Sequence, residues 1–374
     1  MNIGIISTVR GYGWAGSEEL WYECAVLAAK SGHRATACLH DDLQSPGHLE
    51  SLKTLGVKIR RWQTFGFSRL VPLKERLAPS FPERWLRQFD VILVSVGSIL
   101  DVFYVPGLLE ALKKTAVPHV WLCQFNAECF AISASQRRDL REFAQTCAGC
   151  CFVSKQNLEL TERQLAMKMP MARVMSNPIR KMLPDPLPWP EDEVVRLACV
   201  ARFEVLWKGQ DLMLEILSGP QWMKRSWTLS FFGEGPDLDH LKNSVGFFGL
   251  GKRVEFCGYV RELETIWRNH HLMVLASRGE GLPLAILEAM MCGRPVVTTD
   301  VGGNREILQD EVTGFIAETA TPLSFGQTLE RAWVGQSRWK LMGQTAHLRA
   351  KEAAGYNPAL KLMEFLMERA KHAD

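Results

Sequence analysis

Short apolar runs alternate with helically spaced stretches twice along this chain of 374 residues, and no other feature restricts its fold so much. In the first half the runs are IGIIS (3–7), ATACL (35–39), VKIRR (57–61), DVILVSV (90–96), PHVWLC (118–123) and GCCFVS (149–154). Between the first two lies EELWYECAVLAAKSG (18–32), whose spacing predicts a helix ending at Gly32. The second half repeats the pattern with VRLACVA (195–201), WTLSFFG (227–233), VEFCGYV (254–260), HLMVLAS (271–277) and PVVTTD (295–300). Strands that alternate with helices imply parallel sheets covered on both faces, so each half is expected to be a doubly wound α/β domain. The seam between them is RKMLPDPLPWPEDE (180–193), where every second residue from Pro184 to Pro190 is proline. No internal sequence repeat relates the halves. Two such domains face to face would leave a cleft at the C-terminal ends of both sheets, where ligands bind in open α/β folds.

Length agrees with two domains, and 47% apolar with 23% charged residues is the composition of a soluble globular protein. No uncharged apolar run is long enough to span a bilayer. The N-terminus enters a strand-like run with no basic region or cleavage site before it, so a signal peptide is not expected. Most of the ten cysteines lie inside apolar runs, as buried thiols of an intracellular enzyme do. The CAGCC run at 147–151 leads into FVS without a second metal-ligand pair, which argues against zinc. A net charge of +3 argues against general nucleic-acid binding. Its distribution is uneven: residues 51–87 hold nine basic groups (Lys53, Lys58, Arg60, Arg61, Arg69, Lys74, Arg76, Arg84, Arg87) against Glu75 and Glu83. Trp62, Phe65, Phe67 and Leu70 lie among them. Such a segment is either a solvated face over core aromatics or a patch that rests on an anionic membrane.

The chemistry concentrates in GEGLPLAILEAMMCGRPVVTTDVGGNREI (279–307). The strand HLMVLAS ends at Ser277, Arg278 to Leu282 form a loop, and Pro283 stands where a first helical residue should. Glu280 then lies at the helix mouth and Glu288 about one and a half turns inside it. The N–H groups and dipole of a helix N-terminus suit phosphate, with which a carboxylate competes unless it faces hydroxyl groups. A cis-diol of a sugar or ribose supplies such hydroxyls. Leu284, Ile286, Leu287, Ala289 and Met290 surround Glu288, so a buried helix carries one acid that must face something polar. Upstream, Arg202 and Lys208 flank the loop after VRLACVA, where two cations can neutralise a diphosphate.

With these residues in place, the chain resembles a retaining glycosyltransferase of the GT-B fold, of the family 4 type. Glu280 to Glu288 matches that family's E-x7-E motif, with EGLPLAILEAM, GRPVV, GGNRE ending in Glu306 and TGF (313–315) in order. Arg202 and Lys208 stand where the family has its diphosphate-binding pair. VEFCGYV resembles the segment lining the nucleotide base, SNP (176–178) the pre-linker turn, and GYGWAGSEE (11–19) the Gly-rich first loop.

The resemblance implies two Rossmann-like domains facing a central cleft. Residues 1–182 would form the acceptor side and 183–355 the sugar-nucleotide side, with 356–374 a C-terminal helix packing back on the N-terminal domain. Glu288 would hold ribose hydroxyls, and Tyr259 would lie at the base. Glu280, Arg202 and Lys208 would be catalytic: Glu280 on the donor sugar, the two cations on the departing diphosphate. Backbone groups near Gly281, Leu282 and Gly16 would complete the phosphate site. No metal and no cofactor is implied, only a nucleoside-diphosphate sugar as substrate, and retention would follow from same-face attack. The acceptor would be a glycan or lipid-linked saccharide, in cell-surface polysaccharide or glycolipid synthesis. The location would be cytoplasmic, with a peripheral contact at the inner membrane face. Where many members carry a histidine after PHVWLC this chain has Gln124 or Asn126, His119 being at the strand's start. Glu128 is a nearby candidate contact. The departure leaves room for a catalytically weakened nucleotide-sugar-binding protein; a further GT-B alternative is an epimerase.

Overall fold

The structure, a computed structural model, describes residues 1–11, 13–62 and 83–371. The chain divides into two units, Met1–Pro178 with Asn357–Asp374, and Ile179–Tyr356. In the first, seven parallel strands stand in the order β3-β2-β1-β4-β5-β6-β7. They are β1 Asn2–Ser7, β2 Arg34–His40, β3 Lys58–Trp62, β4 Val91–Val96, β5 His119–Cys123, β6 Gly149–Phe152 and β7 Arg173–Val174. In the second, six strands stand in the order β10-β9-β8-β11-β12-β13. These are β8 Val195–Val200, β9 Trp227–Phe232, β10 Val254–Gly258, β11 Leu272–Leu275, β12 Val296–Thr299 and β13 Gly314–Ala317. Each sheet reverses direction beside its first strand, between β1 and β4 and between β8 and β11, and the loops there diverge to opposite faces.

All eleven apolar runs read from the sequence are strands, and β7 and β13 are additions to them. The helix Gly16–Lys30 begins two residues before the run predicted for it and closes with Gly32 at φ +79°. It packs on the first sheet together with the helix Pro358–Lys371, which contributes Ala359, Leu362, Phe365 and Leu366 to the core around Leu20, Trp21 and Cys24.

The proline-rich seam is docked on the second unit. Arg294, buried and facing no carboxylate among its hydrogen-bond partners, donates to Leu187 O (3.3 Å) and Pro188 O (2.6 Å). The same guanidinium also donates to Trp267 O and His270 O, both at 2.9 Å. Burial pulls its pKa down to about 10. Two of the six carbonyls that this guanidinium holds belong to the seam, so the stretch is fastened structural chain and not a loose linker.

The basic segment is less free than its charge count suggested. Arg61 donates to His40 O (2.8 Å) and Leu43 O (2.9 Å), and buried Trp62 donates to Ser7 O (3.0 Å). Arg60 stacks over Trp85, and Arg87 pairs with Glu83. Arg69, Lys74, Arg76, Glu75, Phe65, Phe67 and Leu70 lie outside the described residues. Among the described residues no helix is long and apolar enough to cross a membrane.

Candidate active site

In the second unit, the loops that follow β8 and β11 bring Lys208 and Glu280 together. Lys208 Nζ lies 2.8 Å from both Oε1 and Oε2 of Glu280, and Ser277 Oγ donates to Oε1 at 2.6 Å. The lysine is about one-fifth exposed (21%) while the carboxylate is buried (6%). Lys208 closes a one-turn helix, Val205–Lys208, whose last residue is followed by Gly209 at φ +61°. Arg278 clamps this turn to β11's loop: its guanidinium forks onto Asp211 at 2.8 and 2.9 Å and also donates to Val205 O. Thr299 Oγ1, at the end of β12, donates to Ser277 O at 2.5 Å and fixes the other side. The cluster is thus held by backbone and side-chain bonds from three neighbouring strands.

A second loop presses on Glu280 from behind. Gly303 N donates to Gly281 O at 2.7 Å, and a Cβ on Gly302 (φ +54°) would lie 2.2 Å from Glu280 O. Gly302→Ala is therefore expected to cost about 2–4 kcal/mol, from left-handed strain plus overpacking. Thermal unfolding checks this; an unchanged midpoint would mean that the loop yields without cost.

The structure alters the reading of the two cations. Each has a carboxylate close by: Glu280 for Lys208, and Glu204 Oε2 for Arg202 at 3.7 Å. Arg202's carbonyl also accepts from buried Gln210 Nε2 at 2.6 Å, which positions the residue through its backbone. A dianionic group would compete with these carboxylates, so the pair of cations is not simply surplus positive charge. Glu288 is buried (6%) in the helix Leu284–Met291, where seven of the eight residues are buried. Pro283 precedes that helix as its cap, one position earlier than expected, and Leu282 is buried beside it. Tyr259 follows β10 on the far edge of the sheet, separated from β8 by β9, and is exposed.

In the first unit, Gly16 opens the helix Gly16–Lys30 after β1. The structure decides between Gln124 and Asn126. Asn126 is consumed internally: its Nδ2 donates to Thr161 Oγ1 and Gln164 Oε1, both at 2.9 Å, and its Oδ1 accepts from Ala127 N. Gln124 lies just beyond β5, buried, with its main-chain N–H on Val96 O (3.0 Å). Neither atom of its side-chain amide has a hydrogen-bond partner. Buried amides are rarely left so, and this distinguishes Gln124 from Asn126. His119 hydrogen-bonds Val117 O at the other end of β5, and burial lowers its pKa. Glu128, exposed, is ion-paired with Arg163. Sequence reading passed over Glu18, wholly buried two residues into the helix; its signal was an acid in a run, EELW, where the helix meets β1.

Residues 195–333 match the family model of the glycosyl transferases group 1. A UDP-Gal:α-D-GlcNAc-diphosphoundecaprenol α-1,3-galactosyltransferase of Escherichia coli is 34% identical over 100 residues, 26% of each chain. An exopolysaccharide phosphotransferase of Streptomyces coelicolor is 31% identical over 123 residues, 32% of this chain and 13% of that protein. The matched stretch thus spans about a quarter or less of these curated relatives. Among solved structures, Anabaena Alr3699/HepE in complex with UDP superimposes with a TM-score of 0.74 at 17% identity, covering 100% of both chains. Sucrose-phosphate synthase from Thermosynechococcus elongatus gives 0.73 at 16%, covering 98% of both. The fold is that of the GT-B glycosyltransferases. The match to the group 1 glycosyl transferases falls on the unit that carries Arg202, Lys208, Glu280 and Glu288.

Proposed function

We propose that this protein transfers a sugar, with retention and without a metal, from a nucleoside-diphosphate sugar to a glycan or lipid-linked acceptor. The observation that carries the reading is the Lys208–Glu280–Ser277 cluster at the β8/β11 switch point, inside the segment that matches the family model. In this reading the diphosphate enters between the loops after β8 and β11. It draws Lys208 and Arg202 partly away from their carboxylates and takes up the charge they carry. Glu280, relieved of part of its ion pair, then accepts hydrogen bonds from donor-sugar hydroxyls, and Glu288 accepts them from the ribose. As the glycosidic bond lengthens, negative charge gathers on the leaving diphosphate, and the two cations stabilise it. The acceptor attacks on the same face, and its proton passes to the departing phosphate. The resemblance makes Gln124 and Gly16 further candidates for donor contacts.

A role in surface polysaccharide or glycolipid synthesis is supported by the relatives, whose names include an exopolysaccharide enzyme and a transferase acting on a diphosphoundecaprenol-linked sugar. A peripheral membrane contact through the exposed bases of the first unit would fit such an acceptor. A thermal-shift panel of UDP-, GDP- and ADP-sugars tests the donor. Ligand at a hundred times its Kd adds about 2.7 kcal/mol, so at least one of the panel should raise the melting temperature by several degrees. Failure of all three would sink the reading. Activity with the active donor is also expected to survive EDTA. Loss of activity on chelation, restored by manganese or magnesium, would mean that a metal shares the diphosphate charge.

A further inference from the structure

Glu18 sits in the first turn of the helix Gly16–Lys30 with no exposed surface. Ser7 Oγ and Trp21 Nε1 both donate to its Oε2, at 2.8 and 2.9 Å, while its Oε1 is buried and has no hydrogen-bond partner. An ionised carboxylate distributes donors over both oxygens, since both carry charge. Glu18 has no exposed surface and one oxygen that no donor or cation reaches, so charge on it would go uncompensated and the neutral acid is favoured.

The surroundings agree. β1 and β4 offer Ser7 and, beside it in register, Ser95, whose buried hydroxyl also has no partner. The helix Pro358–Lys371 contributes Leu362, Phe365 and Leu366 to the same core. The charged neighbour is Glu19, an acid, which is occupied by Trp14 Nε1 at 3.1 Å and lies 3.9 Å from His48 of the helix Pro46–Thr54. Burial pushes the Glu18 pKa up to about 7, against the pull of Trp21, Ser7 and Ser17 and with a small addition from Glu19.

We propose that Glu18 is a positioning residue that, as a neutral acid, ties the end of β1 to the start of the helix Gly16–Lys30, and that its ionisation loosens the donor contact at Gly16. The role rests on the donor reading given above. Ser7 is the last residue of β1 and Trp21 lies on the helix, so the carboxyl bridges the two ends of the loop that presents Gly16. Ionisation places an unsolvated charge on Oε1, which is relieved only if the loop opens enough to admit water.

The sign of the linkage follows from the raised pKa. The folded protein holds the Glu18 proton between the ordinary carboxylate value near 4.5 and about 7, whereas the unfolded chain has lost it. The stabilising contribution is thus complete below about 4.5 and is lost as pH rises to about 7. Over that interval the unfolding equilibrium constant should shift by roughly a hundredfold from this group.

The experiment compares wild type with Glu18→Gln, whose amide oxygen can take both donors and whose NH₂ replaces the acid's hydroxyl. Chemical denaturation of both from pH 5 to pH 8 should show the variant gaining on wild type as pH rises. In parallel, affinity for whichever of UDP, GDP and ADP wild type binds is measured over the same range. Wild type should weaken severalfold through pH 7 relative to the variant, whose affinity lacks this component. Parallel stability curves would overturn the neutral-acid assignment. A stability difference as expected, with affinities that track each other, would overturn the coupling to the donor site alone. Binding of none of the three nucleotides by wild type would overturn the donor reading beneath it, and the stability arm would still decide the state of Glu18.

Discussion

Lys208→Ala is expected to abolish most turnover and also to destabilise the protein. The lysine is the bidentate partner of a buried carboxylate, so truncation leaves Glu280 with only Ser277 as donor. Leaving such a charge underpaired costs about 2–3 kcal/mol. If Lys208 serves the departing diphosphate as proposed, its loss lowers kcat by about 10²–10³-fold, the scale found when one charge-stabilising donor is removed. The two effects separate in the double variant. Lys208→Ala with Glu280→Gln should recover much of the stability, because the uncompensated charge is gone, and none of the turnover. Denaturation and initial rates on the three proteins decide it. A stable, fully active Lys208→Ala would remove the lysine from the diphosphate role and the ion pair from the fold's stability.

On the proposed ribose role, Glu288→Ala should weaken donor binding by about 10²–10⁴-fold, since two charge-assisted hydrogen bonds are worth about 1.5–3 kcal/mol each. The informative ligand is the bare nucleoside diphosphate, which contains the ribose but no sugar to be transferred. Glu288→Gln preserves the side chain's volume in a helix that is buried almost throughout, and separates the loss of charge from the loss of packing. It should fold like wild type and bind more weakly. Unchanged affinity for the nucleoside diphosphate in both variants would take the ribose role away from Glu288.

Much of the fold was legible because the strands are apolar runs of four to seven residues in which backbone and side chain agree. The two that escaped show the limit of that signal. β7 is two exposed residues, Arg173–Val174, and exists only because β6 offers an edge to pair with. β13 is GFIA, too short and too much like a turn to stand out. Its register with β12 from Val296↔Gly314 to Thr299↔Ala317 makes it a strand. The proline seam was legible as a boundary. Its attachment depends on Arg294, more than a hundred residues away, meeting its carbonyls.

The same division runs through the site. Sequence alone determined which residues lie at strand ends and helix mouths, because local periodicity, Gly293 and Pro283 place Glu280, Arg202 and Lys208 there, and Glu288 inside the helix, without any knowledge of contacts. Only the tertiary structure decided who faces whom. Lys208 and Glu280 are 72 residues apart and meet because the crossover sets β11 beside β8. Asn126 is spent on Thr161 and Gln164 while Gln124 keeps an unbonded amide, although the two stand in the same loop. Glu18 and Glu19 are adjacent and both buried, yet Glu18 turns toward β1 and meets Ser7 while Glu19 meets Trp14. The physical reason is common to all three. Periodicity is written over a few residues of chain, whereas burial and charge pairing depend on strand order, and strand order is fixed by packing across the whole unit.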